Sequence, residues 1–423
     1  MPPITAHDPE VAALIARETA RQNAALTLVA SENYASHAVL AAAGSALTNK
    51  YADGYPGARD YPGCEVCDDI ETLARERLCR LFGAGHANVQ PYSGSVANLA
   101  VYCALLTPGD RILSMKVEDG GHHTHGSPEH LSGRLYRAAR YGVDPATGLL
   151  DYAEIAAAAR RDRPDLLICG GSFYPRQIDF GAFAEIAAEA GALCLADIAH
   201  LAGLIASGQH PSPAGAVPLI TTTTHKTLRG PRGGAILCDA ECADRIDAAV
   251  YPCLQGGPLM HIIAAKAVCF AEAMTPAFTD YCRRVVANAK VLATALAAEG
   301  FSAVTGGTDT HLLVLDLAGA GIRGRDAEDA LSRAGIAADR CPVPGRGEGY
   351  EAASGIRLGT PAATTRGMGE EEMKALAALI AGVLRNPDHP ARINEARLEV
   401  EALARTFPVS PSRNVRPGRL RHP

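Results

Sequence analysis

Short apolar runs and amphipathic stretches alternate along most of this chain. An Ala/Arg/Glu helix pattern over about Glu10–Ala25 leads into the polar segment Ser31-Glu32-Asn33-Tyr34. Residues 50–66 are rich in Gly, Tyr, Pro and Asp without an apolar period, which predicts a long loop. Long loops in compact domains tend to be functional. A helix over Cys67–Phe82, a short strand at His86–Gln90 and a helix from about Ser95 are expected next. Strand-like runs follow at Arg111–Met115, Leu166–Cys169, Leu193–Ala196, Leu219–Thr223 and Gly234–Cys238. Helical stretches such as Tyr152–Arg160 and Phe180–Ala190 lie between several of them. Strands alternating with helices predict an α/β fold whose mostly parallel sheet is covered by helices on both faces.

A long helical stretch, roughly Pro258–Leu296, is expected to link this domain to a smaller α+β one. The smaller domain should carry strands at Leu312–Leu315 and Ile356–Leu358 and helices at Ala327–Ala334 and Glu370–Leu384. The expected division is 1–280 for an N-terminal arm plus large domain and 281–423 for the small domain. A further helix should precede a Pro/Arg-rich tail from about Val409, expected to be mobile.

Composition narrows the classes of function. The 423 residues are 48% hydrophobic, enough for one large core and a smaller one. A net charge of −6 offers no basic field for nucleic acid. Apolar runs stop far short of the roughly 20 residues a membrane span needs. Residues 1–30 lack the pattern of a secretory signal, so a cytoplasmic protein is expected, with neither membrane nor nucleic acid as partner. The 12 cysteines read as inert core thiols, not a disulfide framework. Cys64 and Cys67 have Cys-x-x-Cys spacing but no second pair, and His122, His123 and His125 fit no helical ligand pair. No metal site is expected.

The chemistry gathers at strand ends. Lys226 follows Thr221-Thr222-Thr223-Thr224-His225 and precedes the Gly-rich turn Arg229-Gly230-Pro231-Arg232-Gly233-Gly234. A strand-end amine with cations nearby has a lowered pKa and can attack a carbonyl, as anchoring pyridoxal 5'-phosphate (PLP) requires. An ordinary lysine in a turn is the plainer alternative. Asp197 closes the run from Leu193 and can keep the PLP ring nitrogen protonated, although a helix N-cap would use the same residue. His200 can reach the same ring, and the flat imidazole of His122 suits stacking on it. Ser93-Gly94-Ser95 follows a strand and opens a helix, where free amides and the helix dipole favour a phosphate. Arg357 lies on a small-domain strand before a tight turn. Its fork can grip an α-carboxylate or serve a structural ion pair.

With these parts in place the chain closely resembles the serine hydroxymethyltransferase family of fold-type I PLP enzymes, over roughly residues 8–385. The similarity is carried by Val29-Ala30-Ser31-Glu32-Asn33-Tyr34, Leu47–Ala52, Thr124–Pro128, Thr221–Gly234 and Gln255–His261. It implies PLP as cofactor, tetrahydrofolate as co-substrate and an amino acid as substrate. It also implies a homodimer or dimer of dimers with shared active sites, to which Tyr51, Asp53, Gly256 and Gly257 are contributed by the partner chain. Catalytic roles are implied for Lys226, Asp53, His225, Thr223 and Tyr51. Cofactor contacts are implied for Ser93, Gly94, Ser95, His122, Asp197, His200, Lys226, Tyr51 and Gly257. Substrate contacts fall to Ser31, Arg357, Tyr61 and Ser172, with Arg232 a further pocket residue.

Departures from the family pattern cluster on the folate and substrate side. Asp53 stands where the family has glutamate, and Asp60 precedes Tyr61 where it has two tyrosines. His123 replaces a leucine, Cys341 an asparagine, and the loop Pro342–Ala353 is altered; Val117 belongs to the same side. One methylene less draws the Asp53 carboxylate back by about 1.5 Å. A misplacement of 1 Å can cost about a hundredfold in rate. The resemblance therefore implies hydroxymethyl transfer from serine or, with room opened beside Asp53, from α-methylserine, leaving glycine or alanine. The alternative is a folate-independent aldolase or transaldolase acting on β-hydroxy amino acids.

Overall fold

The computed structural model describes residues 4–409, so the tail expected to be mobile lies outside the described residues except for Val409, whose amide bonds Asn23. Seven strands form the main sheet: β1 (His86–Asn88), β2 (Arg111–Met115), β3 (Arg137–Tyr141), β4 (Leu166–Cys169), β5 (Leu193–Asp197), β6 (Leu219–Thr223) and β7 (Gly234–Cys238). Their order is β1-β7-β6-β5-β4-β2-β3. Strands β3, β2, β4, β5 and β6 run parallel, and β7 is antiparallel to both β6 and β1. The reason for the apolar runs is visible in β4. Leu167 and Cys169 enter one core, while Leu166 and Ile168 enter the core on the opposite face. A strand covered on both sides cannot alternate with polar residues. The edge strand β3 escapes the sequence reading because Arg137 and Ala138 are exposed and its run Arg-Ala-Ala-Arg-Tyr carries little apolar signal.

The long helical stretch is two helices. Met260–Ala273 (α1) and Pro276–Ala298 (α2) meet at a bend of 80°. Thr275 caps the second helix by accepting from the Phe278 amide, and Pro276 sits at its first turn, where the missing N–H costs nothing. Helix periodicity runs through the junction, but the cap and proline restart it. Helix α2 then spans two cores: Tyr281 and Val285 pack into the first, Leu292 and Leu296 into the second.

The second core is built on an antiparallel sheet of β8 (Leu312–Asp316), β9 (Asp339–Cys341) and β10 (Gly355–Gly359), with β10 in the middle. The N-terminal arm joins this core: Leu26 pairs with Ile336, and Leu26 and Leu28 are buried beside it. Among the described residues no single helix is long and apolar enough to cross a membrane. What this architecture delivers is convergence. The carboxyl ends of β5 and β6, the segment after β1 and the central strand β10 all face one space, the usual place for a ligand in an open α/β sheet.

Candidate active site

That space is a cavity of about 440 Å³. Asp197, the last residue of β5, lies in register with Thr221 of β6. The Thr221 hydroxyl donates to Asn98 Oδ1 at 2.6 Å, and the Asn98 amide donates to Asp197 Oδ2 at 2.9 Å. His125 Nε2 reaches the same oxygen at 2.9 Å, while Oδ1 accepts from the Ala199 amide at 3.0 Å. Burial pushes the Asp197 carboxyl up, but its bonds to His125 and Asn98 outweigh that and hold it well below the ordinary carboxylate range. It is an anion at any working pH.

Lys226 lies three residues beyond β6 on a turn fixed from several sides. Its carbonyl accepts from the Asn33 amide at 2.9 Å. The neighbouring Thr227 hydroxyl donates to the His200 carbonyl at 3.0 Å, and the Gly230 amide closes the turn onto Thr224 O at 2.7 Å. Burial lowers the Lys226 amine to about 8; Asp197 opposes the shift, and Arg357 and Arg232 reinforce it. Among the described residues Nζ has no hydrogen-bond partner. A nucleophilic amine is thus held ready.

Ser93 caps the helix Gly94–Leu105, its hydroxyl accepting from the Val96 amide at 3.2 Å. A Cβ on Gly234 would stand 2.2 Å from Ser93 O, so only glycine lets β7 pass this turn. Beneath it Lys266, 1% exposed, donates to the carbonyls of Val89 (2.6 Å), Gly234 (2.8 Å) and Pro91 (3.0 Å). One buried ammonium therefore pins both segments that shape the phosphate-sized turn. Ser93, Gly94 and Ser95 line the cavity above it.

His122 lines the same cavity, and burial together with His125 lowers it to about 3, leaving a neutral ring. Burial, with Lys226 and Arg232 adding to it, does the same to His225. His200 also lines the space and stacks on His311, with ring centroids 5.5 Å apart. Ser31, Ser172, Thr223 and Arg232 complete this part of the wall. Arg357 reaches in from β10, donating from Nη1 to Ser172 O at 2.6 Å and pairing through Nη2 with Asp339 at 2.7 Å. Cavity lining and ion pair coexist in one side chain.

The other candidates lie elsewhere. Tyr51, Asp53, Asp60, Tyr61, Gly256 and Gly257 do not line the cavity of their own chain. Most of them gather on the surface instead: Tyr51 is 58% exposed, Tyr61 45%, and their rings meet edge to face at 5.1 Å. A Cβ on Gly257 would stand 2.9 Å from Asp53 Oδ1 and 3.3 Å from the Tyr51 ring, and the Tyr92 hydroxyl donates to Gly257 O at 2.8 Å. Asp60 accepts from the Tyr251 hydroxyl. Burial and the nearby Asp60 raise the Asp53 carboxyl, whose Oδ1 is buried without a partner. Of the folate-side positions only His123 lines the cavity, where its ring lies 6.1 Å from Tyr350. Val117 stays outside the lining, and Cys341 is packed against Phe173 and Val314 because its side chain enters a small apolar cluster behind β9. Sequence reasoning assigned no role to His125, Lys266, His311, Asp339 or Tyr350. Two of them had a signal: Tyr350 is an aromatic in the altered loop, and His125 is one of three clustered histidines.

The residues fit PLP: a near-neutral amine, a permanent carboxylate and the free first-turn amides of a 12-residue helix face one another. A sheet of this topology with that trio at its strand ends defines a fold-type I PLP-dependent transferase. The sequence model described as serine hydroxymethyltransferase matches residues 4–380. The chain is 55% identical to the serine hydroxymethyltransferase of Methanospirillum hungatei over 96% of its length and 98% of the relative's. It is 52% identical to that of Koribacter versatilis, over 96% and 95%. The chain belongs to the serine hydroxymethyltransferase family, PLP-dependent enzymes with tetrahydrofolate as co-substrate.

Proposed function

We propose that this protein transfers the hydroxymethyl group of serine to tetrahydrofolate, leaving glycine. The observation that carries the reading is Lys226, its amine lowered to about 8, sharing one cavity with the permanently ionised Asp197. PLP, when bound, supplies the sink for the electron pair released as the Cα–Cβ bond breaks. Lys226 would anchor it, Ser93, Gly94 and Ser95 would hold its phosphate, Asp197 would keep its ring nitrogen protonated, and His122 and His200 would contact the ring. His225 and Thr223, neighbours of Lys226, orient the amine. Arg357 and Ser31 grip the substrate carboxylate, and Ser172 fixes Arg357.

Asp53 is the proton acceptor for the serine hydroxyl, since a carboxyl raised by burial is closer in proton affinity to the group it serves. In its own chain it sits outside the cavity. The cluster of Tyr51, Asp53, Tyr61, Gly256 and Gly257, which lies outside its own chain's cavity, therefore completes the cavity of a second subunit in a homodimer or dimer of dimers. Asp60 and His123 border the folate approach, with Val117 and Cys341 behind it. The large domain runs to about residue 280, the small one from 281, and the enzyme works in the cytoplasm. Family membership favours folate-linked transfer over a folate-independent aldolase.

The test is a substrate screen on the PLP-loaded protein, with Lys226→Ala as control. Serine plus tetrahydrofolate should yield glycine, and Lys226→Ala should lose both this activity and the visible absorbance of bound PLP. Alanine from α-methylserine with serine inert, or turnover independent of folate, would overturn the reading.

A further inference from the structure

Arg357 stands at the middle of β10, directly opposite Asp339 on β9. The contact between them is incomplete. Nη2 meets Asp339 Oδ2 at 2.7 Å, but Arg357 Nε and Asp339 Oδ1 are both buried with no partner. A bidentate carboxylate would satisfy Nε and Nη2 together. Nη1 is turned to the Ser172 carbonyl at 2.6 Å. Arg357 lines the cavity and Asp339 does not. Asp339 is thus a carboxylate on the guanidinium that lies outside the cavity wall.

We propose that Asp339 is a specificity-determining counter-ion that weakens the grip of Arg357 on a substrate carboxylate. This deepens the reading above and rests on Arg357 as the carboxylate-binding residue. Each Nη carries a second hydrogen, so a ligand can be held without displacing Asp339 or Ser172. The ligand then meets a cation already paired, and two carboxylates on one guanidinium repel across a poorly screened interior. The other charges facing Asp339 do not relieve this. Burial pushes its carboxyl up against the pull of Arg357, Glu328 and Glu32 add to the rise, and Glu328 is itself engaged by Arg340 at 2.8 Å. Glu32 also lines the cavity. The site therefore discriminates less between an amino acid and an analogue with an amide in place of the carboxylate than an unpaired arginine would.

The experiment is calorimetric binding of glycine and of glycinamide to PLP-loaded wild type and Asp339→Asn, with serine kinetics alongside. Asp339→Asn should bind glycine about tenfold more tightly while glycinamide changes little, and KM for serine should fall at nearly constant kcat. An unchanged glycine-to-glycinamide ratio, or weaker glycine binding, overturns the proposal, because a mere prop for Arg357 would lose affinity when removed. If the variant does not fold, wild type still decides. Its preference for glycine should be no more than about tenfold, and a preference of about a thousandfold would sink the idea. Failure of wild type to bind either ligand is a different result, which overturns the hydroxymethyltransferase reading and this inference with it.

Discussion

His125 and Asp197, far apart in sequence, share a hydrogen bond of 2.9 Å from Nε2 to Oδ2. The other ring nitrogen of His125 is buried without a partner, so the imidazole is committed to this one contact. It is the link that keeps the carboxylate both ionised and aimed. A hydrogen bond to a charged group contributes about 1.5–3 kcal/mol. His125→Ala should therefore weaken PLP binding by roughly 10- to 100-fold. Titration of cofactor-free protein with PLP measures this, and an unaltered affinity would count against the role given to Asp197.

The amine of Lys226 sets a pH dependence. Only the neutral form attacks an aldehyde, and its folded pKa is lowered from 10.5 to about 8. The rate of PLP uptake by cofactor-free protein should rise with pH and level off just above 8. Rapid-mixing absorbance across the pH range reads it directly. A plateau reached only above 10 would mean the lysine is not held as described.

Lys266 should matter for stability more than its distance from the chemistry suggests. Lys266→Met strands the buried carbonyls of Val89 and Gly234, while Pro91 O keeps the Gly234 amide as its donor. Each orphaned group costs about 1–3 kcal/mol, and relaxation recovers part of that, so a loss of about 3 kcal/mol is expected in urea unfolding. PLP affinity should drop as well, because the same carbonyls shape the turn at Ser93. A fully stable variant would show that the clamp is dispensable.

Shared sites can be tested by mixing. Asp53→Ala alone should lower kcat by about a hundredfold while leaving the visible absorbance of bound PLP intact. Lys226→Ala alone should be inactive. Co-expressed, the two chains should recover activity, since a mixed dimer carries one cavity with both groups whole. No recovery, with mixed dimers verified, would place Asp53 in its own subunit's site.

The charged groups of the site were partly legible along the chain. Lys226, Asp197 and Ser93 each lie at or just beyond a strand-like run, so strand-end logic found them without knowledge of neighbours. His125 was visible only as one of three histidines, because nothing local says which ring faces β5. The bend at Thr275 was missed because helical periodicity continues on both sides of it. Cys341 was expected beside the folate approach, yet its thiol turns into an apolar cluster, an outcome set by which face of β9 it occupies.

Reading along the chain was enough for the alternation of strands and helices, the doubly covered sheet and the lysine, carboxylate and helix start that suit PLP. These follow from periodicity and from groups placed at element ends, which are local properties of the chain. It took the folded chain to show that His125 holds Asp197, that Lys266 pins the turn beneath Ser93, that Asp339 pairs with Arg357 outside the cavity, and that Tyr51 and Asp53 stand apart from their own chain's cavity. Such relationships depend on strand register and on the packing of segments a hundred or more residues apart in several cases, where no local pattern reports the distance.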